Sequence, residues 1–219
     1  MRTIRVTGKG NMKLHPDMMR VTVTLTKVHK EYAEALKHAS EDVETLKDLL
    51  AGFGFGREEL KTLSFNVDAE YESYREDNEY RQRLTGYRYR HTVKVDFDSD
   101  NERLGKVLYA LARSELEPEF NISYTVRDPE AAKNVLLAKA VADSKEKAVV
   151  LAEAAGLILK EIQSVDYSFG APDLEVRPAG RSFALSKNMA VESAAGYDLN
   201  LEPDDVSISD TVTVIWEIG

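Results

Sequence analysis

The chain has 219 residues, of which 43% are hydrophobic and 31% charged, and its formal net charge is -9 at pH 7. This length builds one large domain or two small ones around a real core, and the composition is that of a globular rather than a disordered protein. The acidic balance argues against non-specific nucleic-acid binding, and the absence of cysteine excludes disulfides, thiol nucleophiles and zinc-thiolate sites.

The chain begins directly with strand-like alternation. Ile4 and Val6 alternate with polar residues, and Gly8 and Gly10 predict that this first strand ends in a turn. A second strand follows Pro16, with one apolar face formed by Val21, Val23 and Leu25.

Because no apolar signal core precedes the first strand, we expect a cytoplasmic protein, or a periplasmic or envelope protein if a leader has been removed.

Residues 31–52 predict a helix, because apolar residues recur at spacings of three and four and glycines follow at positions 52 and 54. The side chains expected on its inner face are Tyr32, Leu36, Ala39, Val43, Leu46 and Leu50.

Residues 61–75 and the return strand through residue 97 predict an antiparallel hairpin. Both inner faces are odd-numbered, so a regular register requires an odd-length loop or one bulge. We predict a tight turn at Asp77–Asn78 and a bulge at Gly86, which sets Tyr71 opposite Leu84 and Glu72 opposite Arg83. The residues expected to face inward are Leu63, Phe65, Val67, Ala69 and Tyr71, with Tyr87, Tyr89, His91, Val93, Val95 and Phe97 on the return strand.

The outer part of this hairpin, residues 71–85, is richly charged and is predicted to project as a two-stranded arm. The hairpin as a whole carries the most unusual cluster of the chain, in which the tyrosines at 71, 74, 80, 87 and 89 lie beside the arginines at 75, 81, 83, 88 and 90. The cluster fits a twisted hairpin held by cross-strand pairs, a partner surface, or a stacking surface for single-stranded nucleic acid; the acidic net charge disfavours the last. The candidate interface residues are Tyr71, Tyr74, Tyr80, Arg81, Arg83 and Tyr87.

Ser99 and Glu102 predict a capping box for the second helix. Its inner residues are expected to be Leu104, Val107, Leu108 and Leu111, and the next strand is expected to carry Phe120, Ile122, Tyr124 and Val126.

One long helix is predicted from Asp128, a capping residue followed by proline, to a left-handed stop at Gly156. Its apolar face is expected to consist of two rows. The first is Ala131, Val135, Ala138, Ala142, Val149 and Ala152; the second is Leu137, Val141, Ala148, Leu151 and Ala155. Charged residues interrupt every window long enough to span a membrane, so no transmembrane segment is expected.

The last third of the chain predicts two strands around a long irregular segment. Val165, Tyr167 and Phe169 indicate one strand, and residues 206–218 indicate the other. Between them, residues 170–201 contain prolines and glycines and no sustained period. A loop of this length is usually functional, disordered or bound to a partner.

The order of elements predicts an α+β protein. Residues 18–127 follow the strand–helix–strand–strand–helix–strand order of a ferredoxin-like βαββαβ unit. Residues 1–17 and 128–219 are expected to form a second, discontinuous α/β subdomain around the long helix, with no clean linker between the two.

The chain resembles the SIMPL-domain family, a domain of unknown function, over nearly its whole length. The motifs that carry the resemblance are Val6-Thr7-Gly8-Lys9-Gly10, Pro16-Asp17, Gly86-Tyr87 before Val93 and Val95, Asn121-Ile122-Ser123-Tyr124, the helical residues Ala138, Ala140, Asp143, Lys147-Ala148, Leu151-Ala152 and Gly156, and the closing residues Pro203, Val212, Val214 and Trp216. The resemblance implies a bacterial envelope or periplasmic protein, linked in some members to oxidative stress and in others to ring-like or channel-like oligomers. It implies no catalytic residues.

The residues themselves indicate no reaction centre. The four histidines lack zinc-ligand spacing, and Asp96–Asp100 begins like a calcium loop but lacks the glycine and the final glutamate. We therefore expect no cofactor and no catalytic or metal site, and His91 is expected to be a hydrogen-bonded core residue.

Three functions follow as hypotheses. The first is a non-enzymatic, self-associating protein with contacts from the projecting hairpin and residues 170–201. The second is an enzyme, or a small-ligand or metal binder, with a pocket between the two subdomains. The third is an adaptor for a protein partner, in which the long loop becomes ordered on binding.

Overall fold

The computed structural model describes residues 2–76, 79–167 and 202–219. Its elements are β1 (Arg2–Leu14), β2 (Met18–His29), α1 (Tyr32–Ala51), β3 (Lys61–Glu76), β4 (Glu79–Asp98), α2 (Asn101–Arg113), β5 (Glu119–Thr125), α3 (Pro129–Ala154), β6 (Leu159–Asp166) and β7 (Val206–Ile218). The predicted turn at Asp77–Asn78, the strand residue Phe169 and the loop 170–201 lie outside the described residues.

These elements form an α+β protein with two antiparallel sheets and three helices among the described residues. The described residues group into two compact units, one of 18–124 with residue 202 and the other of 2–17, 125–167 and 203–219. No described helix has the combination of length and apolar character that membrane crossing requires.

The discontinuous unit is built on a sheet of order β1-β7-β6. The long strand β1 pairs with β7 along its whole length, from Arg2 opposite Ile218 to Leu14 opposite Val206. The predicted turn at Gly8 and Gly10 is therefore wrong, because both glycines lie inside a continuous strand. A Cβ at Gly8 would meet the carbonyl oxygen of Ala140 and would lie 2.7 Å from Cβ of Ser144, so these glycines allow α3 to pack closely on the strand.

Helix α3 begins and ends as its sequence predicts. Asp128 accepts a hydrogen bond from the backbone N–H of Ala131 at 2.8 Å, and Gly156 has a φ of 71°. The predicted inner face is only partly correct: Ala148 and Ala152 are buried, but Val135 is 47% exposed, and Ala131, Ala138 and Ala142 are exposed as well. The buried row is Ala132, Leu136, Ala140, Ser144, Ala148 and Ala152.

Close approach to β1 explains this choice of face. Apolar residues lie nearly all round α3, so periodicity alone does not select one row. The buried row has small residues opposite the glycines of β1, and these allow the backbones to approach. The larger Val6, Val212, Val214 and Trp216 complete the core beside it.

The other unit contains a four-stranded sheet of order β3-β4-β2-β5. The strand β2 pairs with β4 from Met18 opposite Asp98 to His29 opposite Tyr87. The predicted inner residues Val21, Val23 and Leu25 of β2, and Leu104, Val107, Leu108 and Leu111 of α2, are all buried.

Three local predictions for this unit need correction. Asp100, rather than Ser99, caps α2, because its carboxylate accepts from the N–H of Arg103 at 3.0 Å. On α1, Tyr32 and Leu36 are 50% and 39% exposed, because the row that starts at Ala35 packs on β2 and β4 instead. On the edge strand β3, most of the predicted inner residues are exposed: Leu63, Phe65 and Tyr71 by 54%, 42% and 58%, and Ala69 as well. Leu63 also lies at a register shift.

Candidate functional site

The outer part of the β3–β4 hairpin projects beyond the sheet. The strand β4 pairs with β2 only up to Tyr87, whereas it pairs with β3 as far as Glu79 opposite Glu76. Residues 71–76 and 79–85, named here the ribbon, therefore pair only with each other within the described chain. A two-stranded ribbon is at best marginally stable in water, which makes it a candidate contact surface.

The register of the ribbon confirms the prediction from sequence. Tyr71 lies opposite Leu84 and Glu72 opposite Arg83, after a register shift between Glu70 and Tyr71. Gly86 at this bulge is buried, and a Cβ there would meet the carbonyl oxygen of His29 and lie 3.2 Å from Cγ1 of Val28. The bulge therefore requires glycine because the backbone passes directly over β2 at this point.

The two faces of the ribbon differ in chemistry. One face carries Tyr71 opposite Leu84 and Arg75 opposite Tyr80. Tyr71, Leu84 and Tyr80 are 58%, 47% and 82% exposed, so this face, which also carries Arg75, Ser73 and Gln82, has large accessible apolar side chains. We call Tyr71, Leu84 and Tyr80 the aromatic face.

The opposite face is polar and internally paired. Arg83 donates to Glu72 at 2.9 Å, and its guanidinium lies 5.8 Å from the ring centroid of Tyr74. Arg81 is the backbone partner of Tyr74 on the same face. The strand alternation thus divides the candidate residues predicted from sequence: Tyr71 and Tyr80 lie on the aromatic face, and Tyr74, Arg81 and Arg83 on the paired face.

Tyr87, the sixth candidate, lies outside the ribbon. It is opposite His29 of β2, and its ring makes an edge contact with Tyr32 at 5.6 Å between centroids. The structure therefore places Tyr87 at the base of the hairpin, apart from the two faces.

A second feature, which the sequence analysis missed, is an open groove between α1 and the strands β3 and β4. Its volume is about 410 Å³. Leu36, Val43, Leu60, Phe65 and Val93 supply its apolar lining, and Ser40, Glu44, Lys47, Thr62 and His91 supply polar groups. The groove exists because α1 covers β2 and β4 and leaves the edge strand β3 largely uncovered.

His91 lies in this groove rather than in the core. Its Nε2 is 3.0 Å from the hydroxyl of Thr62, while its Nδ1 is buried without a hydrogen-bond partner. Burial and the nearby positive charge of Lys47 lower the pKa of His91. The prediction of a hydrogen-bonded residue is correct, but the prediction of a core position is not, because edge strand β3 leaves the ring partly accessible.

A polar cluster lies deeper in the same unit. The buried Tyr89 donates its hydroxyl hydrogen to Asp42, and Lys27 forms an ion pair with Asp42 at 2.8 Å. Burial, with the Asp42 carboxylate beside it, raises the pKa of Tyr89. The rings of His29 and His38 stack at 4.4 Å next to this cluster. The arrangement satisfies a buried phenol and anchors α1 to the sheet.

The residues that resemble metal ligands in the sequence serve other purposes. Asp96 pairs with Arg20 at 2.6 Å and with Lys94 at 2.9 Å, and Asp100 caps α2. His15 pairs with Asp205, and His38 with Glu41. Among the residues that the structure describes, no group of three or more histidine or acidic side chains is arranged to hold a metal ion.

Comparison with known proteins identifies similar sequences. The family model for SIMPL, described as a protein of unknown function (DUF541), matches residues 4–216. The uncharacterized protein YggE of Edwardsiella ictaluri is 23% identical over 212 residues, which cover 97% of this chain and 85% of that protein. The 26 kDa periplasmic immunogenic protein of Brucella melitensis is 24% identical over 220 residues, covering 98% and 84%, and its Brucella abortus counterpart matches to the same extent.

Proposed function

The chain belongs to the SIMPL family, whose biochemical function is unknown, and we propose that it is a non-enzymatic protein that associates with copies of itself through the aromatic face of its ribbon. The observation that carries the proposal is the exposure of Tyr71, Leu84 and Tyr80 on a two-stranded ribbon that has no third strand within the described residues.

The energetics of the ribbon support association. A two-stranded ribbon is only marginally stable in water. If a second surface covers its exposed aromatic side chains, the free energy gained is roughly 25 cal/mol per Å² of apolar area removed from water. Tyrosine and arginine are also favoured at interface centres. On the paired face, by contrast, the charges of Glu72 and Arg83 already pair with each other. Self-association is therefore assigned to the aromatic face alone.

We also infer that residues 18–127 form a ferredoxin-like subdomain and that 1–17 with 128–219 form the second. The strand order β3-β4-β2-β5, with α1 between β2 and β3 and α2 between β4 and β5 along the chain, supports this topology. A crystal structure with α1 and α2 on opposite faces of the sheet would contradict it.

The names of the Brucella relatives bear on location. Both are called periplasmic proteins, which favours a periplasmic location for this chain over the cytoplasmic one expected from its first residues. Cell fractionation of the native host tests this, and recovery with a cytoplasmic marker enzyme would contradict it.

Sedimentation velocity across a wide concentration range tests self-association. The unmodified chain should sediment as a species larger than a monomer. The double variant Tyr71→Ser, Tyr80→Ser should shift the distribution towards monomer, because it removes the two aromatic side chains of the aromatic face.

The paired face provides a matched control. Tyr74→Ser removes one tyrosine from the same ribbon but from its other face, and this variant should keep the distribution of the unmodified chain. A monomer at all concentrations, or an unchanged distribution in the double variant, would contradict the proposal.

A further inference from the structure

The groove between α1 and β3 has the dimensions and lining of a small-molecule site. Its volume of about 410 Å³ falls in the usual range for ligand pockets, roughly 300–1,000 Å³. Phe65 and Leu36 line it and are 42% and 39% exposed, so its apolar surface is accessible. The lining therefore suits a molecule with an apolar part of modest length.

The polar groups of the groove favour a negative charge on that molecule. Lys47 and His91 both line the groove, and burial together with the positive charge of Lys47 lowers the pKa of His91. The Nδ1 atom of His91 is buried without a partner. A carboxylate in the groove would accept from Lys47 and from a protonated His91, and its negative charge would offset the repulsion between these two cations.

Lys47 can make such a contact because Glu44, the carboxylate that it now pairs with, also pairs with a second cation. Glu44 accepts from Lys47 at 2.7 Å, but it also pairs with Arg57, which pairs in addition with Asp48. If Lys47 turned towards a ligand, the carboxylate of Glu44 would stay paired with Arg57. The cost of leaving a carboxylate without a partner is thereby avoided.

We propose that this groove binds a small amphipathic carboxylate, with its apolar chain against Val43, Leu60 and Phe65 and its carboxylate between Lys47 and His91. This site is separate from the ribbon and is independent of whether the chain self-associates.

The proposal has a defined consequence for the titration of His91. The charged residues that line the groove with His91 are Lys47 and Glu44 from α1. Its neighbours on β2 and β3 are Leu25, Thr62 and Phe65. A bound carboxylate adds a negative charge beside the imidazole. The pKa of His91, lowered in the free protein, should rise when the ligand binds.

Titration with sodium octanoate, followed by the side-chain NMR signals of His91, tests the site. Octanoate should shift these signals saturably and raise the pKa of His91. Octylamine has the same chain with the opposite charge, and acetate has the charge without the chain; each should bind at least about tenfold more weakly, a difference of about 1.4 kcal/mol.

Two variants and a matched control assign the effect to the groove. Lys47→Met should weaken octanoate binding about tenfold, and Ser40→Glu, an exposed α1 position in the groove lining, should weaken it through charge repulsion. Lys37→Met removes another α1 lysine paired with a glutamate, 3.7 Å from Glu41, outside the groove lining, and should leave the affinity within about twofold. The proposal is overturned if octanoate does not bind, if octylamine binds equally well, or if Lys47→Met binds octanoate like the unmodified chain.

Discussion

The indole Nε1 of Trp216 donates a hydrogen bond to the hydroxyl of Ser144 at 3.2 Å, and the serine is fully buried while the tryptophan is 5% exposed. This bond joins β7, near its C-terminal end, to the buried row of α3. A serine is tolerated in that row because its hydroxyl accepts the one polar hydrogen of the buried indole.

Ser144→Ala should therefore destabilise the discontinuous unit by about 1–3 kcal/mol, because the indole N–H stays buried without an acceptor. Trp216 is the single tryptophan of the chain, so its fluorescence during urea unfolding reports directly on this unit. Ser209→Ala, at an exposed position of β7, is the control and should change little. Equal effects of the two substitutions would show that the bond contributes nothing measurable.

Gly8→Ala and Gly10→Ala should each destabilise the same unit by about 2 kcal/mol or more, because the new methyl group meets backbone atoms of α3 that cannot turn aside. The same fluorescence assay measures this. Asn11→Ala, on the exposed side of β1, is the control. Alanine variants as stable as the unmodified chain would contradict the close approach of β1 and α3.

We expect Asp143 to protect the backbone N–H of Lys9, on the outer edge of β1, from exchange with water. Its carboxylate accepts from the backbone N–H of Lys9 at 2.6 Å and from Lys147 at 2.7 Å, and Lys147 also reaches the carbonyl of Thr7 at 3.4 Å. The bonds from Lys147 and from the Lys9 amide lower the pKa of Asp143.

Asp143→Ala should consequently speed amide hydrogen exchange at Lys9, because an edge N–H of a strand is left to water. Glu146→Ala, on the exposed side of the same helix, should leave this rate unchanged. If both variants exchange at the rate of the unmodified chain, the edge bond has no protective role.

The ion pair of Asp96 should make the other unit sensitive to acid. Burial alone would raise the pKa of Asp96, but hydrogen bonds from Arg20 and Lys94 outweigh it and lower the value below 3.8. A carboxyl group with a lower pKa in the folded state than in the unfolded state stabilises the fold. This stabilisation is complete at pH values above the unfolded-state pKa, and it is lost as the pH falls through the folded-state pKa.

Asp96→Asn should thus cost about 1–3 kcal/mol at neutral pH, and the difference from the unmodified chain should shrink as the pH falls below 3.8. Urea unfolding of both chains at several pH values, followed by circular dichroism, measures it. Asp68→Asn, on an exposed part of β3, is the control. A difference that stays constant down to acid pH would contradict the role of this pair.

The ribbon is a part of the fold whose residue pairing could be predicted from the sequence. The bulge, the pairing of Tyr71 with Leu84 and the pairing of Glu72 with Arg83 were predictable because a period of two leaves few registers open. The strand β7 and the ends of α3 were predictable for a similar reason, since capping residues and alternation are local signals.

The features that the sequence left undetermined depend on contacts between distant residues. The role of Gly8 became clear only when Ala140 and Ser144 were placed against it, more than 130 positions away. The groove was missed because Lys47, Thr62 and His91 share no local motif, and only the packing of α1 on β2 and β4 brings them together.

Hydrogen exchange of the ribbon at low and high protein concentration tests the central claim of self-association most directly. If the aromatic face is covered by another copy, amides of residues 71–76 and 79–85 should exchange more slowly at high concentration, while those of α2 should not change. Rapid ribbon exchange that is identical at both concentrations would contradict the account.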